Sequence, residues 1–348
     1  MSILIWINFS RTLKATRPNR NFLNMIKFLA RVISICFLIL YTTISCKPSG
    51  DPPIRTFSTI TLLDSIELEM PLRRIVYKEE KYYSYDYYSK SIFKHDQNFH
   101  IIDSLGAKGE GPSENLMVRN YQTFDLDKLM IFDTQKHSYK VQDFSDSVYL
   151  YHKFMTPVDR GVAINESLLI TIASLPDLKL GFSFYDLNSL ESESIEKINL
   201  LFDQKNSAMV YEGKLLIEEN YVVHTSYFAN HWFVYNTINK DLKVGAYRYE
   251  FELPKVLEFG GGVMLDNAPE LIVDSFLRGT KLYVISNVGE RAYPEQRVLD
   301  IFDLATTEYI TSYILPKLQD SAPSEGFYIE NDRIGLRYED YLYFLTLN

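Results

Sequence analysis

The chain holds two cysteines, Cys36 and Cys46, and none after position 46. A disulfide or a cysteine-ligated metal in the body of the protein is therefore excluded. Tryptophan is as scarce, with Trp6 and Trp232 only. The six histidines, His95, His100, His137, His152, His224 and His231, form no H-E-x-x-H and no close pair at ligand spacing. His224 and His231 alone fall on neighbouring strands that a hairpin could bring together. No G-x-S-x-G is present, which excludes a serine hydrolase built on a nucleophile elbow. The sequence thus offers no metal ligand set and no cofactor motif. Helical periodicity is nearly absent too.

Charge of one sign is missing from each part of the chain. The first 45 residues carry six basic side chains, Arg11, Lys14, Arg17, Arg20, Lys27 and Arg31, and no acid. Without them the 36 basic residues fall to 30 against 45 acidic ones, a net of −15. So acidic a body is a poor partner for nucleic acid, whose binding requires neutralisation of many phosphates, and none is expected.

What is present begins with a leader. Met25-Ile26-Lys27-Phe28-Leu29-Ala30-Arg31 is a short basic segment, and Val32–Tyr41 is an apolar run with Ser34 as its one clearly polar residue. A spanning helix needs about 20 apolar residues, so the run reads as the middle of a secretory signal. Thr43-Ile44-Ser45-Cys46 resembles the cleavage site of bacterial lipoproteins, with Thr43 where leucine is commonest. The resemblance implies that Cys46 becomes the first mature residue and carries acyl chains; more than one chain is needed for stable anchoring. Residues 1–45 are then a signal peptide whose true start is Met25, residues 46–55 a tether, and residues 56–348 the folded domain. A cleaved soluble form and an uncleaved anchor are the alternatives.

Aromatics are abundant, with 26 Tyr and 22 Phe, and these suit pleated, half-buried surfaces. Short apolar-aromatic runs alternate with small polar turns throughout, the pattern of an all-β chain. A run ending in Asp or Asn recurs at Asp86, Asp133, Asp186, Asn236 and Asp303, each followed by a turn that such a side chain can close. The spacing near 50 residues predicts a β-propeller with four strands per blade. Five units of four strands can be counted. The first begins at Arg74 and the fifth ends at Leu315. In the third, Ser194–Leu200 is the last strand. In the fourth, Ser207–Tyr211 and Lys214–His224 are the first two. The tail supplies only three strands, Gly326–Glu330, Ile334–Tyr338 and Tyr341–Leu347. Phe57–Met70 has no blade of its own. Joined to the tail it completes a sixth blade and closes the ring, so the expected fold is a six-bladed propeller shut by an N-terminal strand.

Leu105–Asn115, LGAKGEGPSEN, resembles the glycine-rich connection of six-bladed β-propeller lipoproteins of the Gram-negative envelope, relatives in shape of NHL and TolB-like propellers. Gly106, Gly109, Gly111, Pro112 and Glu114 match that pattern; Ser113 and Asn115 depart from it. The resemblance implies an address in the bacterial envelope, on the outer membrane. A phosphate loop would need a helix after the glycines, and here a strand follows.

Function is less legible. The aromatic clusters around Tyr82–Tyr88 and Tyr227–Phe233 suit either packing between blades or contact with a ligand. Tyr227, His231 and Trp232 are the ligand contacts expected from them. The long interruptions Leu253–Glu270 and Ser286–Arg297 mark the side of the ring where binding surface gathers, and Gly260-Gly261-Gly262 is expected to be a mobile loop. The expected role is a non-enzymatic binding protein for a protein or glycan. The alternative is a hydrolase or lyase that uses carboxylates or a metal on the propeller axis. One consequence concerns Cys46. Cys46→Ala is expected to release the protein from membranes into the soluble fraction on cell fractionation; full retention in the membrane pellet would reject the lipid anchor.

Overall fold

The computed structural model describes residues 55–123, 127–249, 251–289 and 295–348. The signal segment, Cys46 and most of the tether lie outside the described residues. The body is a six-bladed propeller of four-stranded antiparallel sheets. An early strand, β1 (Ile60–Glu67), precedes the blades. Blade 1 is β2 (Leu72–Lys78), β3 (Lys81–Asp86), β4 (Ile92–His95) and β5 (Ile101–Leu105). Blade 2 is β6 (Val118–Thr123), β7 (Lys128–Asp133), β8 (Ser138–Asp143) and β9 (Val148–Lys153). Blade 3 is β10 (Arg160–Ala163), β11 (Leu168–Leu175), β12 (Lys179–Asp186) and β13 (Glu191–Ser194). Blade 4 is β14 (Gly213–Glu218), β15 (Tyr221–Ser226), β16 (His231–Asn236) and β17 (Leu242–Ala246). A hairpin, β18 (Lys255–Phe259) and β19 (Gly262–Asp266), interrupts the link to blade 5. Blade 5 is β20 (Ile272–Arg278), β21 (Lys281–Ser286), β22 (Val298–Asp303) and β23 (Tyr309–Ile314). Blade 6 is β24 (Glu325–Tyr328), β25 (Arg333–Arg337) and β26 (Tyr341–Leu347), with β1 as its fourth strand.

The expected closure is present. β1 pairs antiparallel with β26 from Ile60↔Leu347 to Glu67↔Tyr341, with one irregularity between Leu62 and Asp64. Asn348 donates its backbone N–H to Thr59 at 3.0 Å, and Leu68 donates to Asp340 at 2.8 Å. The chain just before β1 is fixed to blade 5. Arg55 forks onto Asp300 through Nε at 3.0 Å and Nη2 at 2.8 Å, and both side chains are buried. Such a bidentate pair fixes direction as well as position.

Middle strands are packed on both faces, so they read as nearly continuous apolar runs rather than as alternation. β7 (KLMIFD) and β21 (KLYVIS) are buried at every position but the first. Outer strands face water: β13 is Glu-Ser-Glu-Ser, all exposed. The core consequently lies between blades. Six apolar clusters occupy the six blade interfaces, for example Ile170, Phe182, Val222 and Phe233 between blades 3 and 4.

Three local expectations are corrected. Ser207–Tyr211 is no strand; it contains a one-turn helix, Ser207–Val210. Lys214–His224 is two strands, because the chain turns at Glu219, whose φ is +51°. The last strand of blade 3 stops at Ser194, and residues 195–202 coil instead. Ile195, Ile198 and Phe202 recur at helical spacing, and all three are buried against blades 3 and 4. The repeat is also re-phased. Asp186, Asn236 and Asp303 close the turn after a third strand, each accepting N–H groups from the turn. Asp86 and Asp133 end second strands instead. Their true counterparts in blades 1 and 2 are Asp96 and Asp143, which cap the third-strand turns in the same way. The glycines at 260 and 261, at φ +55° and +83°, form the tight two-residue turn of the β18–β19 hairpin rather than an open loop.

The closure yields a prediction. Deleting Phe57–Met70 leaves β26 as a bare edge and opens the ring, and the cooperative thermal transition of the whole body is expected to be lost. Calorimetry showing an unchanged midpoint would contradict ring closure as the source of stability.

Candidate ligand site at the axial mouth

Antiparallel order fixes which parts of the ring share a face. The turns from second to third strand and the links from blade to blade lie on one face, called here the upper face. The turns from first to second and from third to fourth lie on the other. Both long interruptions therefore fall on the upper face: 247–271, with the β18–β19 hairpin, and 287–297. So does the helical link 195–212. Inner strands run downward from this face, so their first residues surround the upper mouth of the axis.

A charged side chain occupies that place in every blade: Arg74, Arg119, Arg160, Lys214, Asp274 and Glu325. Four cations in a row are followed by two acids. The inner strands are laced across all six interfaces. The Arg74 N–H donates to Glu325 Oε2 at 2.5 Å, and the Tyr121 hydroxyl donates to the Arg74 carbonyl. Gln122 exchanges two bonds with Ala163, and Arg160 donates to the Gly213 carbonyl. Lys214 Nζ meets Asp274 Oδ1 at 2.6 Å, while the Gly326 N–H donates to Asp274 Oδ2 at 2.9 Å. A hydrogen-bonded belt thus rings the axis.

The two acids are committed to that belt. Burial raises the Glu325 pKa, and its Oε1 lies 3.7 Å from Arg337 Nη2. Burial works against the Lys214 ammonium, but Asp274 outweighs it and the Lys214 pKa is raised. The arginines are arranged differently. Irregularities in the inner-strand pairing fall between Arg73 and Val76 and between Val118 and Asn120, so Arg74 and Arg119 sit at bulges. Arg74 adopts φ +52°, a conformation that costs a non-glycine residue on the order of 1 kcal/mol or more. Bulges re-aim side chains. Burial lowers the pKa of both Arg74 and Arg160, and in each case the next cause is repulsion from Arg119. Arg119 and Arg160 share one carboxylate, Glu212, at 3.5 and 4.0 Å, and Glu212 is 46% exposed.

A cavity of about 360 Å³ opens beside them. Arg119, Arg160, Glu212 and Asp159 supply its charge; Met117, Leu180, Met209 and Leu265 are among its apolar lining. Asp159 accepts a hydrogen bond from the Ser174 hydroxyl at 2.8 Å. Leu265 belongs to β19, so the hairpin forms part of the wall.

Of the three residues expected to contact a ligand, one reaches this mouth. Tyr227 follows β15 on the upper face; its N–H donates to the Glu212 carbonyl at 2.8 Å. Its phenol pKa is raised by burial, an effect that Lys214, Arg119 and Arg160 oppose and Asp274 reinforces. His231 stands exposed at the start of β16, opposite Ala246. Trp232 is 1% exposed and packs in the interface of blades 4 and 5, with Phe302 at 5.7 Å. Gly245 faces it so closely that a Cβ there would lie 2.2 Å from the indole. His224 is enclosed by Phe182, Phe202 and Phe233, and burial pushes its pKa down to about 3. Among the described residues no three His, Cys, Asp or Glu side chains are grouped to hold a metal.

The glycine-rich stretch 106–115 forms the link from blade 1 to blade 2 on this same face. Lys136 and Lys140 reach up from blade 2 and donate to its carbonyls: Lys140 Nζ lies 2.9 Å from Ser113 O and 3.0 Å from Glu114 O. Asp133 accepts the N–H groups of Leu116 and Met117 at the end of the link. The stretch is a clamped inter-blade turn whose carbonyls face cations, the wrong polarity for a phosphate cradle.

No family model matches the chain, and no curated protein matches it. Solved structures do. A member of the DUF4221 family from Bacteroides vulgatus is 12% identical, with a TM-score of 0.55 over 85% of this chain and 99% of that one. A Bacteroides fragilis protein named as a candidate exported protein is 10% identical, with a TM-score of 0.51 over 85% and 97% of the two chains. Both show a shared fold. Virginiamycin B lyase from Staphylococcus aureus aligns at 11% identity over 83% and 100%, with a TM-score of 0.47, which carries no argument for lyase chemistry here.

The buried Lys140 gives a pH prediction. Burial, with repulsion from Lys136, pushes its pKa from 10.5 down to about 7. Between these values the unfolded chain binds the extra proton, so stability rises with pH; below pH 7 the penalty is complete. Relative to Lys140→Met, the wild type is expected to gain up to about 1.4 kcal/mol per pH unit from pH 7 upward. Urea unfolding of both proteins at pH 7, 8 and 9 measures this, and a constant difference would refute it.

Proposed function

We propose that the chain is a lipid-anchored β-propeller of the bacterial envelope, moored at Cys46 to the outer membrane, that binds a protein or glycan on its upper face without transforming it. The leader and the Thr43–Cys46 cleavage pattern support the anchor. The likeness to a candidate exported protein of Bacteroides fragilis agrees with the address. The observation that carries the binding role is the state of the axial acids. A hydrolase or lyase that works through axial carboxylates needs them free to move protons. Asp274 is tied to Lys214 and the Gly326 N–H, and Glu325 to the Arg74 N–H and Arg337. The upper face, by contrast, gathers the three long links and the exposed apolar side chains of the hairpin, Leu257, Phe259 and Met264.

The test is an array of peptides and envelope glycans probed with the full chain. Phe259→Asp, on the upper face, is expected to abolish a hit. Leu190→Asp, in the turn between β12 and β13 on the opposite face, is expected to leave it unchanged. Equal loss in both, or recovery of a chemically altered ligand, would overturn the reading.

A further inference from the structure

We infer that the upper mouth is built for one oxyanion, a carboxylate, sulfate or phosphate carried by a small organic body. This rests on the reading of the upper face as the binding face and names the chemistry it recognises. Guanidiniums of three consecutive blades lie around the mouth: Arg119 and Arg160 meet on Glu212, and Arg74, whose Cζ sits 5.4 Å over the Tyr85 ring, is near enough to Arg119 to be repelled by it. Two of them are set there by strand bulges, one at the cost of a left-handed backbone. Their mutual repulsion works against folding, and the blade interfaces do not require it, since each already holds an apolar cluster. Arg74 Nη1 and Arg160 Nε are buried and have no hydrogen-bond partner. Buried donors of this kind are normally satisfied, and a planar fork of N–H groups matches the oxygens of a carboxylate, sulfate or phosphate.

Glu212 bridges Arg119 and Arg160 loosely, from a half-exposed position. It acts as an internal competitor for the incoming anion. The adjoining cavity explains why the anion is organic. Beyond its charged rim lie Met117, Leu180, Met209 and Leu265, a wall that accepts an apolar body. Its volume of about 360 Å³ is at the small end of ligand pockets, so the body is about the size of a single ring.

The experiment is calorimetric titration of the full chain in detergent at low salt with benzoate, phenyl sulfate, phenyl phosphate and the neutral benzyl alcohol. At least one anion is expected to bind, and benzyl alcohol is not. The three anions distinguish carboxylate from sulfate and phosphate. Arg119→Gln is expected to weaken binding about tenfold or more, the loss of one charge-assisted pair. Glu212→Gln is expected to tighten it severalfold, an effect that loss of folding cannot produce. Failure of all three anions to bind, benzyl alcohol binding as well as the anions, or indifference to both substitutions would overturn the inference. These outcomes are separate from those of the array. Array hits with no anion binding would retire the oxyanion site alone, whereas anion binding with conversion of the probe would retire the non-enzymatic role alone.

Discussion

The pairing of β1 with β26 is the contact on which the molecule depends. It joins Ile60 to Leu347 and so makes a ring of what would otherwise be an arc. Closing a loop of this length costs chain entropy, but that cost grows only with the logarithm of length, about 5 kcal/mol here before a constant. Much of it is already met once five blades have stacked and curved the chain back on itself. Without the closure, blades 1 and 6 would expose the apolar interface of Leu72, Tyr82, Phe327 and Phe344, and β26 would offer an unpaired edge. The Arg55–Asp300 fork continues the closure onto blade 5, so the first described residue is already held.

Closure decides what the axis can be. Six inner strands are brought to one centre, and each places a charged residue near its upper end. The chain rings that centre with polar groups that satisfy one another across blades, from Gln122–Ala163 to Lys214–Asp274. This belt consumes the two axial acids and leaves Arg119 and Arg160 sharing one loosely placed carboxylate, Glu212. The upper face is the proposed binding face for that reason as well as for its long links. The third-to-fourth turns of blades 1 to 5, on the lower face, are short and closed by their own Asp or Asn, as at Asp186 and Asp303.

The sequence showed the blades but blurred their phase. Asp86 and Asp133 look like the repeat because they too end a strand in an acid, and only the pairing of β3 with β4 and of β7 with β8 assigns them to second strands. In the link 195–212 helical turns replace the expected strand, and the spacing of Ile195, Ile198 and Phe202 carries the signal for them. Trp232 drew attention as a lone tryptophan in an aromatic cluster. Its enclosure by Gly245 depends on a partner strand, which composition does not reveal. Tyr227, chosen from the same cluster, reached the mouth because the turn after β15 is an upper one. The arginines form no motif, though each is a charge near the start of a first strand, in LRRIV, VRNYQ and RGVA.

By itself, then, the sequence determined the class of fold, the number of blades and the strand that shuts them. These follow from local alternation and turn chemistry, and from one unpaired segment at each end. The leader and Cys46 that it also suggests lie outside the described residues. The tertiary structure alone decided the site. Arg74, Arg119 and Arg160 are separated by more than forty residues at each step and become neighbours only through the curvature of the ring. Charges distributed one to a blade leave no contiguous motif, so their meeting is a property of the closed circle and of nothing shorter.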